Sequence, residues 1–141
     1  MASGASDDSS IRITIHGTVA SGLGEGRYFM SQREYSNQMA GKLGFAPYAG
    51  TLNIRVAAED LSRIGELKGV QGIEISGFDR EGKHFGGATV YRAELSGVKC
   101  AVVMPKITRH QGIIELIAKD RLRGILGLHD GSAVSVSVFP E

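Results

Sequence analysis

Short runs in which apolar and polar residues alternate, each ended by a glycine-bearing turn, constrain this chain to a structure built mainly of strands. Ile11, Ile13 and Ile15 alternate with Arg12, Thr14 and His16, while Leu52, Ile54 and Val56 alternate with Asn53 and Arg55. Period-two patterning puts one set on a buried face and the other on its reverse. Runs at 72–78, 84–95, 98–104, 113–118 and 132–139 read as further strands. Asp79-Arg80-Glu81-Gly82 and Ser96-Gly97 read as hairpin connections, and His129-Asp130-Gly131 precedes the regular alternation from Ser132 to Val138. Many short strands with few helices predict a small β-barrel with helical insertions.

Three segments break this pattern with helical spacing. Ser31-Gln32-Arg33-Glu34 has the form of a capping box, Tyr35, Met39 and Leu43 recur on one helical face, and Gly44 is placed to stop the helix. These features predict a helix over 31–43. Leu61, Ile64 and Leu67 predict a second short helix, and 121–127 predicts one or two helical turns ending near Gly127. Residues 1–10 are small and polar with two aspartates, which predicts a disordered leader ahead of a single domain over 11–139.

Composition removes several classes of function. Sixteen Lys and Arg against fifteen Asp and Glu leave a net charge of +1 with no basic stripe, so no nucleic-acid footprint is expected and attraction for anions must be local. The apolar run Ala101 to Pro105 is far shorter than the ~20 residues that span a bilayer. No basic segment leads into an apolar one at the N-terminus, so the expected location is the cytoplasm, without membrane association and without an obligate protein partner. The one cysteine, Cys100, has no partner for an internal disulfide and lies in an apolar run that predicts a buried, inert thiol.

The candidate chemistry begins at Gly22-Leu23-Gly24-Glu25-Gly26-Arg27-Tyr28-Phe29, directly after the first strand. Glycines at every second position let the backbone crowd a ligand, so that amide N–H groups point at phosphate oxygens, with Arg27 as a charged donor. The same triplet can also be a plain tight turn. It is not a P-loop, because Arg27-Tyr28 stands where lysine and serine or threonine would close one. It is not a dinucleotide fingerprint either, since Gly26 follows Gly24 too soon. Thr51 and Asn53 project side by side from the second strand, either as a solvated polar pair or as oxygen ligands for a magnesium ion shared with phosphates. Glu115, between Ile114 and Leu116, is either an exposed barrel position or a pocket carboxylate that binds a hydroxyl or acts as a base. His110 has no partner at catalytic spacing.

Five ordered blocks carry a resemblance to a known family. They are residues 22–29 above, Leu43-Gly44-Phe45-Ala46-Pro47-Tyr48-Ala49-Gly50-Thr51-Leu52-Asn53, Met104-Pro105-Lys106-Ile107-Thr108, Ile113-Ile114-Glu115-Leu116-Ile117-Ala118, and Leu122-Arg123 with Leu128-His129-Asp130-Gly131. Over essentially all of 11–139 the chain resembles the archaeal CTP-dependent riboflavin kinases. The resemblance implies a mostly β fold, a small six-stranded cradle-loop barrel with short helical insertions. It implies transfer of the γ-phosphoryl group of CTP to riboflavin, giving FMN and CDP with Mg2+ as cofactor. By the same resemblance, Gly22, Leu23, Gly24, Glu25, Gly26 and Arg27 hold the nucleotide phosphates, and Asp120, Arg121, Leu122 and Arg123 add nucleotide contacts. Thr51 and Asn53 hold the magnesium, and Thr108 and Glu115 contact the flavin. The preference for CTP over ATP comes wholly from the resemblance. Phosphoryl transfer depends on alignment and charge neutralisation, which makes Arg27, Arg121 and Arg123 candidate charge stabilisers and leaves no catalytic base identified. Some family members carry a DNA-binding domain ahead of the kinase; the short segment before Ile11 leads to the expectation of none here. The rival reading is a non-enzymatic barrel of the same type, a DNA-binding or assembly module, against which stand the balanced charge and the intact Thr51-Leu52-Asn53.

Overall fold

The computed structural model describes residues 12–21, 32–106 and 112–139. Strand β1 spans Ile13–Ala20 and helix α1 spans Arg33–Leu43, followed by β2 at Leu52–Val56. A 3-10 turn at Ala58–Asp60 leads into α2 at Leu61–Lys68. Four strands then follow, β3 at Ile73–Ile75, β4 at Phe78–Arg80, β5 at Lys83–Phe85 and β6 at Ala88–Leu95. The chain closes with β7 at Val98–Pro105, β8 at Ile113–Ile117, α3 at Leu122–Leu126 and β9 at Ala133–Val138.

Among the described residues seven strands form one sheet in the order β3-β6-β7-β8-β2-β1-β9. A second pairing, β6 with β9 through Ala93↔Val138 and Leu95↔Val136, closes six of them into an antiparallel barrel. Closure removes the open edges that a flat sheet would expose. The interior is filled from all six strands by residues that include Ile15, Ile54, Leu95, Val102, Ile114, Leu116 and Val136, each at most 1% exposed. Alternation explains the selection, since β1 and β2 bury every second residue.

The outer face of the barrel carries a second core. Tyr35, Met39 and Leu43 of α1 pack with Val90, Ala101 and Ile117, which point outward from β6, β7 and β8. Those three strands are therefore apolar on both faces, and their sequence shows buried runs in place of clean alternation. The β4–β5 hairpin completes the cover, with Phe78 and Phe85 stacked at 4.7 Å and Tyr35 edge-on to Phe78.

Several local expectations are modified. α1 starts from Gln32, which makes no side-chain cap bond, while Ser31 lies outside the described residues. The Glu34 carboxylate pairs with Arg80, whose Nη1 also donates to Gln32 Oε1 at 2.9 Å, and the expected capping box, which needs Ser31, falls outside the described residues. The expected end of α1 is found, with Gly44 at φ 88 donating its N–H to Ala40 O. The hairpin turn is Glu81-Gly82 alone, with both residues at positive φ, and Asp79 and Arg80 pair within the strands. Ser96-Gly97 makes the same kind of turn. The expected strands 72–78 and 84–95 are each interrupted where their backbones approach closely: a Cβ on Gly77 would fall 2.4 Å from Phe85 O. In α2, Leu67 is fully buried but Leu61 is 45% exposed at the first position of the helix.

Gly17 occupies the tightest point between β1 and β2. A Cβ there would meet Arg55 O at 2.3 Å and Ile54 Cγ2 at 2.7 Å. Gly17→Ala is expected to destabilise the fold by about 2 kcal/mol, the order of an overpacked core site, read as a lower urea midpoint. Gly41→Ala in α1, where an added Cβ meets nothing within 4 Å, is expected to raise stability by about 0.5–1 kcal/mol. A Gly17→Ala midpoint equal to wild type would show that the two strands do not approach this closely.

Candidate active site

Register decides which side chains meet. β2 pairs with β8 so that Leu52 faces Leu116, Asn53 faces Glu115 and Ile54 faces Ile114. The apolar pairs turn into the barrel, so Asn53 and Glu115 share its outer face. On the other side of β2, Asn53 pairs with Ala20, the last residue of β1. The chain leaves the barrel at Ser21, and the glycine run that follows is thereby rooted beside Asn53. Gly22, Leu23, Gly24, Glu25, Gly26 and Arg27 themselves lie outside the described residues, as does Thr108.

Thr51, one residue before β2, donates its hydroxyl hydrogen bond to Glu115 Oε1 at 3.0 Å. Thr51, Asn53 and Glu115 are all half-buried. Glu115 is thus neither a solvated barrel position nor remote from the pair expected to hold metal. Hydroxyl, amide and carboxylate oxygens in one patch suit a hard cation such as Mg2+. Among the described residues no group of three or more His, Cys, Asp or Glu is assembled, so a softer metal has no ligand set there.

A cleft of about 210 Å3 opens beside this patch. One wall is Tyr48 to Asn53; the other is Leu116, Ala118 and the run Asp120, Arg121, Leu122 and Arg123. Tyr48 N–H donates to Ala118 O at 2.7 Å and ties the walls together. Two candidate sets far apart in sequence, Thr51 with Asn53 and 120–123, therefore line one cavity. Within the second set the side chains diverge. Asp120 and Arg121 are exposed, whereas Leu122 is 4% exposed and packs into the barrel core, anchoring the start of α3. Arg123 is drawn back toward β1, its Nη2 donating to Asp130 Oδ1 at 2.7 Å and to Ala20 O at 3.3 Å. The Ser21 hydroxyl and the Arg123 guanidinium hold the Asp130 carboxyl below the usual aspartate range, so it is ionised throughout neutral pH.

Tyr48 was not singled out from the sequence as a cleft residue, although its block runs directly into Thr51. Tyr48 is 37% exposed, and a Cβ on Gly50 would approach its Cε2 to 3.2 Å. Asp130 was legible only as part of the His129-Asp130-Gly131 turn; its contact with Ser21, 109 residues away, had no local signal.

The sequence comparisons place the chain in a family. The family model for CTP-dependent riboflavin kinases, described as "Domain of unknown function DUF120", matches residues 19–138, which takes in both walls of the cleft. The chain belongs to the CTP-dependent riboflavin kinase family. Among relatives named riboflavin kinase, it is 42% identical over 127 residues to that of Thermoplasma acidophilum, covering 90% of this chain and 58% of the relative. It is also 42% identical over 128 residues to that of Pyrobaculum calidifontis, covering 90% and 60%. The relative from Archaeoglobus fulgidus is 42% identical over 128 residues, covering 90% and 55%. The chain thus spans a little over half the length of the curated relatives it matches. Among the described residues no helix is long and apolar enough to cross a membrane.

Cys100 plays no part in the cleft. It is 3% exposed inside the barrel, and burial, followed by the charge of Glu94, pushes its thiol up to about 12. At pH 8 the folded protein is expected to leave a chromogenic disulfide reagent unreacted, with one thiol appearing on addition of denaturant. Rapid native labelling would show that β7 opens or that the thiol faces solvent.

Proposed function

We propose that this domain transfers the γ-phosphoryl group of CTP to the terminal ribityl hydroxyl of riboflavin, giving FMN and CDP. The observation that carries this reading is the convergence of Thr51 and Asn53 with residues 120–123 around one cleft, with Glu115 hydrogen-bonded to Thr51, beside the strand end that leads into the glycine run. Family membership supplies the donor and acceptor, which no residue in the cleft announces from first principles.

In the reaction the bond between the γ-phosphorus and the β-phosphate oxygen breaks, and a bond from the same phosphorus to the ribityl oxygen forms. CDP leaves with the electron pair, and the hydroxyl proton passes to Glu115 or to solvent. A loose transition state asks mainly for alignment and charge neutralisation, so a strong base is not required. Arg121 and Arg123 flank the cleft and oppose the charge on the phosphates, and the amides of residues 22–27 cradle them. Mg2+, held by Thr51 and Asn53, supplies further neutralisation of phosphate charge when bound. Thr51 donates its hydroxyl hydrogen bond to Glu115 Oε1, which orients its lone pairs away from that carboxylate. Glu115 together with Thr108 binds the flavin substrate, with Glu115 accepting a hydrogen bond from a ribityl hydroxyl.

The deciding experiment is chromatography of FMN formed from riboflavin and Mg2+ with CTP or ATP in parallel. FMN with CTP alone is expected. FMN with ATP alone would keep the kinase and discard the donor, and no product with either from folded protein would move the reading to a non-catalytic barrel. Asn53→Ala is expected to raise the Mg2+ concentration for half-maximal turnover by at least about tenfold, the loss that removing even an outer partner of a metal ligand produces, with an unchanged melting temperature. Wild-type turnover at limiting Mg2+ would take Asn53 out of the site.

A further inference from the structure

Asp130 occupies a tight turn in which Ser132 N–H donates to His129 O at 2.9 Å and Gly131 adopts φ 90. The turn is pinned to the end of β1, because Gly131 N–H donates to Val19 O at 2.8 Å and Val19 N–H donates to Ser132 O at 2.9 Å. From this fixed base the Asp130 carboxylate bridges two groups. Oδ2 accepts from Ser21 Oγ at 2.6 Å, and Oδ1 accepts from Arg123 Nη2 at 2.7 Å. Ser21 is the residue directly before Gly22, and Arg123 lines the cleft. One carboxylate thus joins the root of the glycine run to an arginine of the opposite wall.

The remaining donors of that arginine are not consumed. Among the described residues Arg123 makes hydrogen bonds through Nη2 alone, which leaves Nε and Nη1 for a ligand. An arginine without such a tether samples many rotamers, and ordering them on ligand binding opposes affinity. The Asp130 side chain is 62% exposed and does not line the cleft, so an ordinary surface ion pair is the competing explanation. Such a pair contributes little to stability and nothing to substrate affinity.

We propose that Asp130 is a positioning residue for the nucleotide phosphates: its ion pair with Arg123 Nη2 fixes that guanidinium at the edge of the cleft, with Nε and Nη1 left to meet a phosphate. This rests on the functional reading above. Asp130 touches no substrate in this role and acts through Arg123.

The test is steady-state riboflavin phosphorylation by the full chain with CTP and Mg2+, together with calorimetric CTP binding. Wild type is compared with Asp130→Ala, Asp130→Asn, Arg123→Gln and the double variant Asp130→Ala/Arg123→Gln. Asp130→Ala is expected to raise the KM for CTP about tenfold, in line with loss of hydrogen bonds between charged groups, with riboflavin KM and melting temperature unchanged. Asp130→Asn keeps one acceptor oxygen and should fall between wild type and alanine. In the Arg123→Gln background, removing Asp130 should raise the CTP KM less than about threefold, because the group it positions is gone. A wild-type CTP KM in Asp130→Ala, a full tenfold effect persisting in the double variant, or a drop in melting temperature that accounts for the loss would each overturn the proposal. Wild-type protein that binds CTP but forms no FMN would sink the kinase reading alone, and the same variant comparison is then read from Kd. Wild-type protein that binds no CTP would overturn both.

Discussion

The antiparallel ladders that β2 makes with β1 on one side and β8 on the other are the constraint on which the cleft depends. They set Ala20, Asn53 and Glu115 side by side across three strands. The register is enforced from the opposite face, where Leu52, Ile54, Ile114 and Leu116 are at most 4% exposed inside the barrel. A slip of one residue would turn those side chains outward and Asn53 inward. Each large aliphatic residue lost from the interior forfeits roughly 1.5–3 kcal/mol of burial. The polar patch is thus held in place by apolar contacts that it does not itself make.

Barrel closure serves the same end at longer range. The β6–β9 pairing brings the last strand back against the sheet, and β9 pairs with β1 over six positions from Ile13↔Val138 to Thr18↔Ala133. The turn before β9 consequently lands at the end of β1, where Asp130 reaches Ser21 and Arg123. With a net charge of only +1, the chain carries little overall charge to attract a polyanion, so the proposed function relies on local cations at the cleft, Arg121 and Arg123. One carboxylate among neutral oxygens in the proposed metal patch fits a cation that arrives with a nucleotide and carries much of its own coordination.

Much of the fold was legible because the interior of a small barrel imposes period two on the strands that face water outside. β1, β2 and β9 follow it, and the glycines that stop α1 and α3 stand where a left-handed residue is needed, at Gly44 and Gly127. Legibility failed where a distant partner overrode a local preference. Glu34 pairs with Arg80, 46 residues away, and strands 72–78 and 84–95 were interrupted by a close backbone approach at Gly77 that only the packed structure contains. Of the candidate site, Thr51 and Asn53 were readable as a pair, since two residues apart on a strand share a face. Their approach to Glu115 was not, because that contact spans 64 residues and follows from strand order.

The sequence by itself determined that the chain would be a small, mostly β domain, that Thr51 and Asn53 would point the same way, and that Cys100 would be buried. Local periodicity is enough for such statements, as each concerns neighbours along one element. Only the tertiary structure decided that residues 51, 53 and 120–123 line one cleft, that a carboxylate joins the proposed metal pair, and that Asp130 ties two strand ends together. Those facts depend on strand order, register and closure, which are settled by the packing of the whole interior and leave no mark in any single segment.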